Sequence, residues 1–173
     1  IYLLGGLATL VSARRIGRVA ATFQRASNGM NQNLLNNLLL GLPMMVACLL
    51  LQALLISAAI GYYKRHEHRL GGGSFLKTTG VITGVMILLT AGNLAQIAIW
   101  ALLFRVLGEF EQYGEAFYHS AVNFATLGYG DIVMSARHKL LGPLEAVNGA
   151  LMIGVSTATL MMAFQGSIQK NTK

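Results

Sequence analysis

Thr126-Leu127-Gly128-Tyr129-Gly130-Asp131 is the stretch whose residue types and spacing best fit a piece of chemistry. Glycine enters the left-handed backbone region at no steric cost. Gly128 and Gly130, at alternate positions, therefore suit a chain that swings between right- and left-handed conformations so that successive carbonyls face one axis. A row of converging carbonyls is a coordination surface for a cation. Thr126 would add its hydroxyl as the innermost oxygen, and the side chains of Leu127 and Tyr129 would turn away into a wall. The same hexapeptide also makes an ordinary surface turn, so its meaning depends on the elements that hold it.

Composition narrows those elements. Of 173 residues, 54% are hydrophobic and 11% charged, too few charges to coat a soluble globule and too much apolar surface for one small core. The class is an integral membrane protein. The net charge of +7 sits on residues that bracket apolar runs and do not interleave with aromatics, so no nucleic-acid partner is implied. The absence of a glycine-rich phosphate loop after a strand, of HExxH and of GxSxG argues against an enzyme. Cys48, the single cysteine, supports neither a disulfide framework nor a cysteine metal site and reads as a small apolar filler. His66 and His68, set among Lys64, Arg65 and Arg69, read as a solvated basic loop.

Three uncharged or nearly uncharged runs exceed the roughly 20 residues that cross a bilayer: Leu34 to Tyr63, Thr78 to Phe104, and Leu140 to Ile168, the last interrupted only by Glu145. They are too long and continuous for barrel strands of about ten alternating residues, so they are helices. Between the second and third lies Arg105 to Lys139. Its semi-apolar centre, Ala116 to Ala125, is too short to span and reads as a re-entrant half-helix, tolerated at membrane depth where it is buried in protein or lines a water-filled cavity. The expected organisation is a basic extension at 1–33, a first membrane helix at 34–63, a basic linker at 64–77, and a module at 78–168. The module divides into an outer helix at 78–107, a short helix at 114–125, the loop 126–131 and an inner helix at 140–168.

Charge orients this arrangement. Lys64, Arg65, Arg69 and Lys77 make the densest basic loop, which the positive-inside rule places in the cytoplasm together with Lys170 and Lys173. The short helix then lies outside, where Glu109, Glu111, Glu115 and Asp131 would form an acidic vestibule that concentrates cations. Residues 1–33, carrying Arg14, Arg15, Arg18 and Arg25, fit this topology less well. Residues 1–29 read as an extension upstream of a start at Met30, with a cut-short apolar segment or a basic surface helix as the other options.

The hexapeptide, the half-helix before it and the helices on either side resemble the single-pore-loop potassium-channel family, over about Thr78 to Ile168. The resemblance implies a filter in which the carbonyls of Thr126, Leu127, Gly128 and Tyr129, continued by Gly130, replace the hydration shell of potassium ions. It also implies an outer and an inner membrane helix around a re-entrant pore helix, three identical subunits as partners in a C4 tetramer, and membrane lipid around it; with the first helix at 34–63 added, the expected fold is all-α, three membrane helices plus the pore helix. Beyond potassium, no cofactor is implied. The pore helix would aim its carbonyl end at the central cavity.

The sequence departs from the family pattern at Ala125, at Val122 and at Tyr118, the last standing where other members often have tryptophan. Ala125 stands where threonine is frequent. Val122 stands where many members have a glutamate that bonds the outer aspartate, and Tyr118 is then the candidate brace for Asp131. Gly154 lies one residue from a gating-hinge position, with helix packing the competing account, and Met161, Met162 and Phe164 are candidates for an apolar inner gate. Glu145 is expected to pair with Arg137, His138 or Lys139, Asn148 to bond a backbone or a neighbouring helix, and His119 to be a satisfied buried histidine. No arginine-every-third-residue helix and no ligand-binding domain are evident. The expected site is the cell membrane, of bacterial inner-membrane type. Two alternatives stay open: a weakly selective cation channel, and a non-conducting regulatory subunit that retains the module.

Overall fold

The computed structural model describes the backbone of residues 2–67 and 75–171, and the side chains of residue 24 and of residues 27–66 and 79–166. The described residues form four helices in the order α1 (Tyr2–Glu67), α2 (Phe75–Val106), α3 (Tyr113–Phe124) and α4 (Leu141–Asn171), with no strand among them. Segments Ser27–His66, Thr79–Val106 and Leu141–Gly166 are each long and apolar enough to cross a bilayer. The chain is an all-α, multi-pass membrane protein.

α1 starts well before the apolar run that marks it in the sequence. Met30 and the polar residues Asn31, Gln32 and Asn33 lie inside the helix. Polar residues far from proline supply no stop, and Asn37 satisfies its own amide locally by donating to Asn33 O at 2.6 Å. The chain divides into a unit through Leu39 and a second from Leu40 onward. Of the basic linker, His68 and Arg69 lie outside the described residues. His66 closes the last turn of α1, with Nδ1–H donating to Tyr62 O at 2.9 Å.

Within the second unit α3 buries one face, with Ala116, His119, Ser120, Val122 and Phe124, and leaves Tyr113 and Tyr118 exposed. Cys48, Trp100, Ala101, Phe104, Phe110, Ala116, Met134 and Leu141 form one buried apolar cluster, and Ile97, Phe124 and Met152 another. Trp100, Phe104 and Phe124 are among the largest fully buried side chains. Lipid is as apolar as leucine, so helix association in a bilayer rests on close packing and interhelical hydrogen bonds. Both are present. Leu55 of α1 seats against Gly92 of α2, where a Cβ would come within 2.3 Å of its Cδ1. Gln96 Nε2 of α2 donates to Gln52 Oε1 of α1 at 2.8 Å, and Gln52 Nε2 donates to Ser156 Oγ of α4 at 2.9 Å. This amide chain ties the first helix to the other two.

α4 comes very close to the end of α3. A Cβ on Gly149 would stand 2.1 Å from the carbonyl oxygen of Phe124. Only a residue without a side chain lets α4 reach the place where the α3 helix stops.

Candidate functional site

Two helix ends use one backbone device with different residues. At the end of α2, Glu109 N bonds Phe104 O at 3.1 Å and Gly108 N bonds Arg105 O at 3.0 Å. At the end of α3, Leu127 N bonds Val122 O at 2.9 Å and Thr126 N bonds Asn123 O at 2.8 Å. Each pair is the 6→1 and 5→2 pattern of a Schellman motif, which needs a left-handed residue just past the cap. Gly108 meets that need at φ +74°. After α3 the residue is Thr126, at φ +59°. A left-handed backbone costs a residue with a Cβ about 1–2 kcal/mol.

The left-handed excursions then continue at every second residue: Thr126, Gly128 at φ +57° and Gly130 at φ +74°. Ala125, the cap, and all residues from Thr126 to Asp131 are exposed. The loop thus leaves the carbonyl end of α3 and runs across an open face of the chain. Leu127 is 54% exposed and Tyr129 65%, so this single chain covers each side chain only in part.

Supports reach the loop from behind. Tyr118 Oη donates to Asp131 Oδ2 at 2.7 Å. That bond from Tyr118 is the first reason the Asp131 carboxyl is held below its ordinary value. One residue on, Ile132 O accepts from His119 Nδ1 at 3.0 Å, and His119 Nε2 meets the Asn123 amide at 2.9 Å. The His119 ring is buried between Phe104 and Phe110, with centroids 5.7 and 5.1 Å away. Val122 is buried and offers no polar atom to Asp131.

Glu145 departs from the expectation placed on it. It is 0% exposed and turns to α3, where its carboxyl meets Ser120 Oγ and the Asn123 amide. Residues 137–139 lie in the turn that precedes α4, and His138 goes elsewhere: its Nδ1 is 2.5 Å from Glu109 Oε1. Glu109 also accepts from Ser135 N at 2.6 Å and Ser135 Oγ at 2.7 Å. Burial pushes the Glu109 carboxyl up, but the bonds from Ser135 and His138 outweigh it and hold the group below its ordinary value. This clasp joins the segment after α2 to the segment after the loop. Its components are far apart in sequence, and no local pattern announced them. The Gln52–Gln96–Ser156 chain was also missed, although amides inside largely apolar helices are a readable signal.

Residues 82–166 match a family described as "Ion channel". Over this stretch the chain is similar to that ion-channel family. That stretch contains most of α2, the whole of α3, the loop and α4 to Gly166, so the family match falls on the elements that hold the loop. No curated protein and no solved structure matches the chain.

Over the matched stretch α4 buries Met152, Ser156, Thr159 and Ala163, a stripe of helical spacing. Gly154 and Met161 lie on the opposite, exposed face, and no atom stands within 4 Å of a Cβ built on Gly154. Phe164 is exposed to one side of them. Met162 borders α1, beside Tyr63 and Lys64. The four candidate gate residues therefore do not share one face.

Proposed function

We propose that the chain is one subunit of a potassium-selective channel in which four copies surround an axis. The observation that carries this reading is the left-handed backbone at Thr126, Gly128 and Gly130 directly after α3. That alternation is what a ladder of carbonyls facing one side requires. The carbonyls of Thr126, Leu127, Gly128 and Tyr129 take the place of water around a dehydrated potassium ion. One loop makes one quarter of a ring, and closure by rotation supplies the other three. The exposed side chains of Leu127 and Tyr129 then pack against neighbouring subunits. The carbonyl end of α3 lends partial negative charge to the inner side of the loop. The basic residues at the end of α1 support a cytoplasmic position for that end and for the C-terminus.

The test is purified protein in liposomes. A reversal potential that follows the potassium gradient against sodium, with barium block, supports the reading, as does ion density on a four-fold axis between the carbonyls. Equal permeation of sodium and potassium points to a weakly selective cation channel. Absence of flux from folded protein points to a non-conducting membrane subunit.

A further inference from the structure

Hydrogen positions behind α3 follow from two groups that hold no proton of their own. Ile132 O and Ile97 O are backbone carbonyls and can only accept. His119 Nδ1 lies 3.0 Å from Ile132 O, so Nδ1 carries the ring proton of the neutral imidazole and Nε2 is an acceptor. The Asn123 amide, 2.9 Å from Nε2, must then present an N–H to it. Ser120 Oγ lies 2.8 Å from Ile97 O, so the single hydroxyl proton of Ser120 points at that carbonyl. Ser120 Oγ also contacts Glu145 Oε1. Two oxygens in hydrogen-bond contact need a proton between them, and Ser120 has none left to give.

From this count we propose that Glu145 is a neutral carboxylic acid in the folded channel and donates its proton to Ser120 Oγ. Its surroundings agree. The carboxyl is fully buried, both groups that bond it are uncharged, and Glu145 Oε2 is a buried oxygen with no partner. A carboxylate so placed would be a desolvated charge without a counter-ion, which is costly in protein and more so within a membrane span. The chain Glu145–Ser120–Ile97 thus binds α4, α3 and α2 together without placing a charge behind the loop. Glu145 is a positioning residue: it acts on the loop through Ser120 and Asn123.

The charge state does not depend on the potassium reading and is measured without flux. In membranes at neutral pH, the infrared difference between wild type and Glu145→Gln should contain one protonated-carboxyl carbonyl band that shifts in heavy water. A carboxylate band in its place overturns the proposal. Wild-type protein labelled at the glutamate side-chain carboxyl carbon gives the same answer by solid-state NMR if the variant fails to fold: one protonated-type resonance at neutral pH is expected, and five ionised glutamates overturn the idea. Glutamine can donate to Ser120 as the neutral acid does, so Glu145→Gln should keep flux within about twofold. Glu145→Ala leaves buried groups unpaired and should lower flux about tenfold. A glutamine variant as impaired as the alanine variant counts against the proposal. A wild type without flux but with the protonated-carboxyl band overturns the channel reading alone.

Discussion

Tyr118 and Asp131, thirteen residues apart, meet through one hydrogen bond of 2.7 Å from the phenol to the carboxylate. Val122 lies in α3 one turn after Tyr118 and has no group to make a second. Tyr118→Phe removes the donor and little volume. The expected result is unchanged unitary conductance with faster loss of current during sustained opening, read from single-channel records. Unchanged inactivation and unchanged tetramer stability would show that the bond does not brace the loop.

The strained residue at the start of the loop gives a second prediction. Thr126→Gly relieves the left-handed backbone and should leave the fold as stable or up to about 1 kcal/mol more so. It also deletes the hydroxyl proposed as the innermost ligand, so flux should fall. Thr126→Ser restores the hydroxyl and should recover part of that flux. Thermal unfolding in detergent and liposome flux, measured on the same preparations, read the two effects separately.

Gly149 and Gly154 lie five residues apart on α4 but should respond oppositely to alanine. At Gly149 the new Cβ would stand 2.1 Å from Phe124 O, a backbone atom that cannot step aside. Gly149→Ala should destabilise by at least about 1–3 kcal/mol, the usual range for overpacking. Gly154→Ala meets nothing within 4 Å and should be neutral or stabilising by up to about 1 kcal/mol. Lowered open probability in a stably folded Gly154→Ala channel would mark a hinge; unchanged gating would leave packing against neighbours as its role.

Gln52 and Gln96 should be energetically coupled. A double-mutant cycle with leucine at both positions is expected to give about 0.6 kcal/mol and at most about 2, the range for interhelical hydrogen bonds in membranes. A coupling indistinguishable from zero would mean that this bond adds nothing to the packing of α1 on α2.

The Glu109 clasp sets an acid limit. Its carboxyl is held below the ordinary value, so the contribution to stability is present above the unfolded-state carboxylate pKa, about 4.3, and is lost as pH falls through the lower folded value. Stability should therefore be insensitive to Glu109 from pH 5 to 8 and decline only in stronger acid. In Glu109→Gln that acid-dependent component should vanish. An equal acid response in both proteins would remove the clasp from the account.

The spans of α2 and α4 were legible to within a few residues, because an apolar run too long for a strand has one way to satisfy its backbone in lipid. Their ends were less so. Phe104–Glu109 and Val122–Leu127 stop their helices by backbone bonds that form only once a residue goes left-handed, and Thr126 is a poor advertisement for that. Sequence proximity suggested that Glu145 would find the cations at 137–139. Since α4 begins at Leu141, position 145 is instead rotated toward Ser120 and Asn123, while His138, in the turn before the helix, reaches Glu109.

What the sequence determined alone was therefore the solvent and the order of parts: a membrane protein with three spans and a glycine-alternating loop after a short helix. Hydrophobic length and glycine's backbone freedom are properties of the chain itself. Only the tertiary structure decided which polar groups meet behind that loop, because a buried donor or acceptor takes whatever partner helix rotation brings within about 3 Å, and sequence distance has no part in that choice.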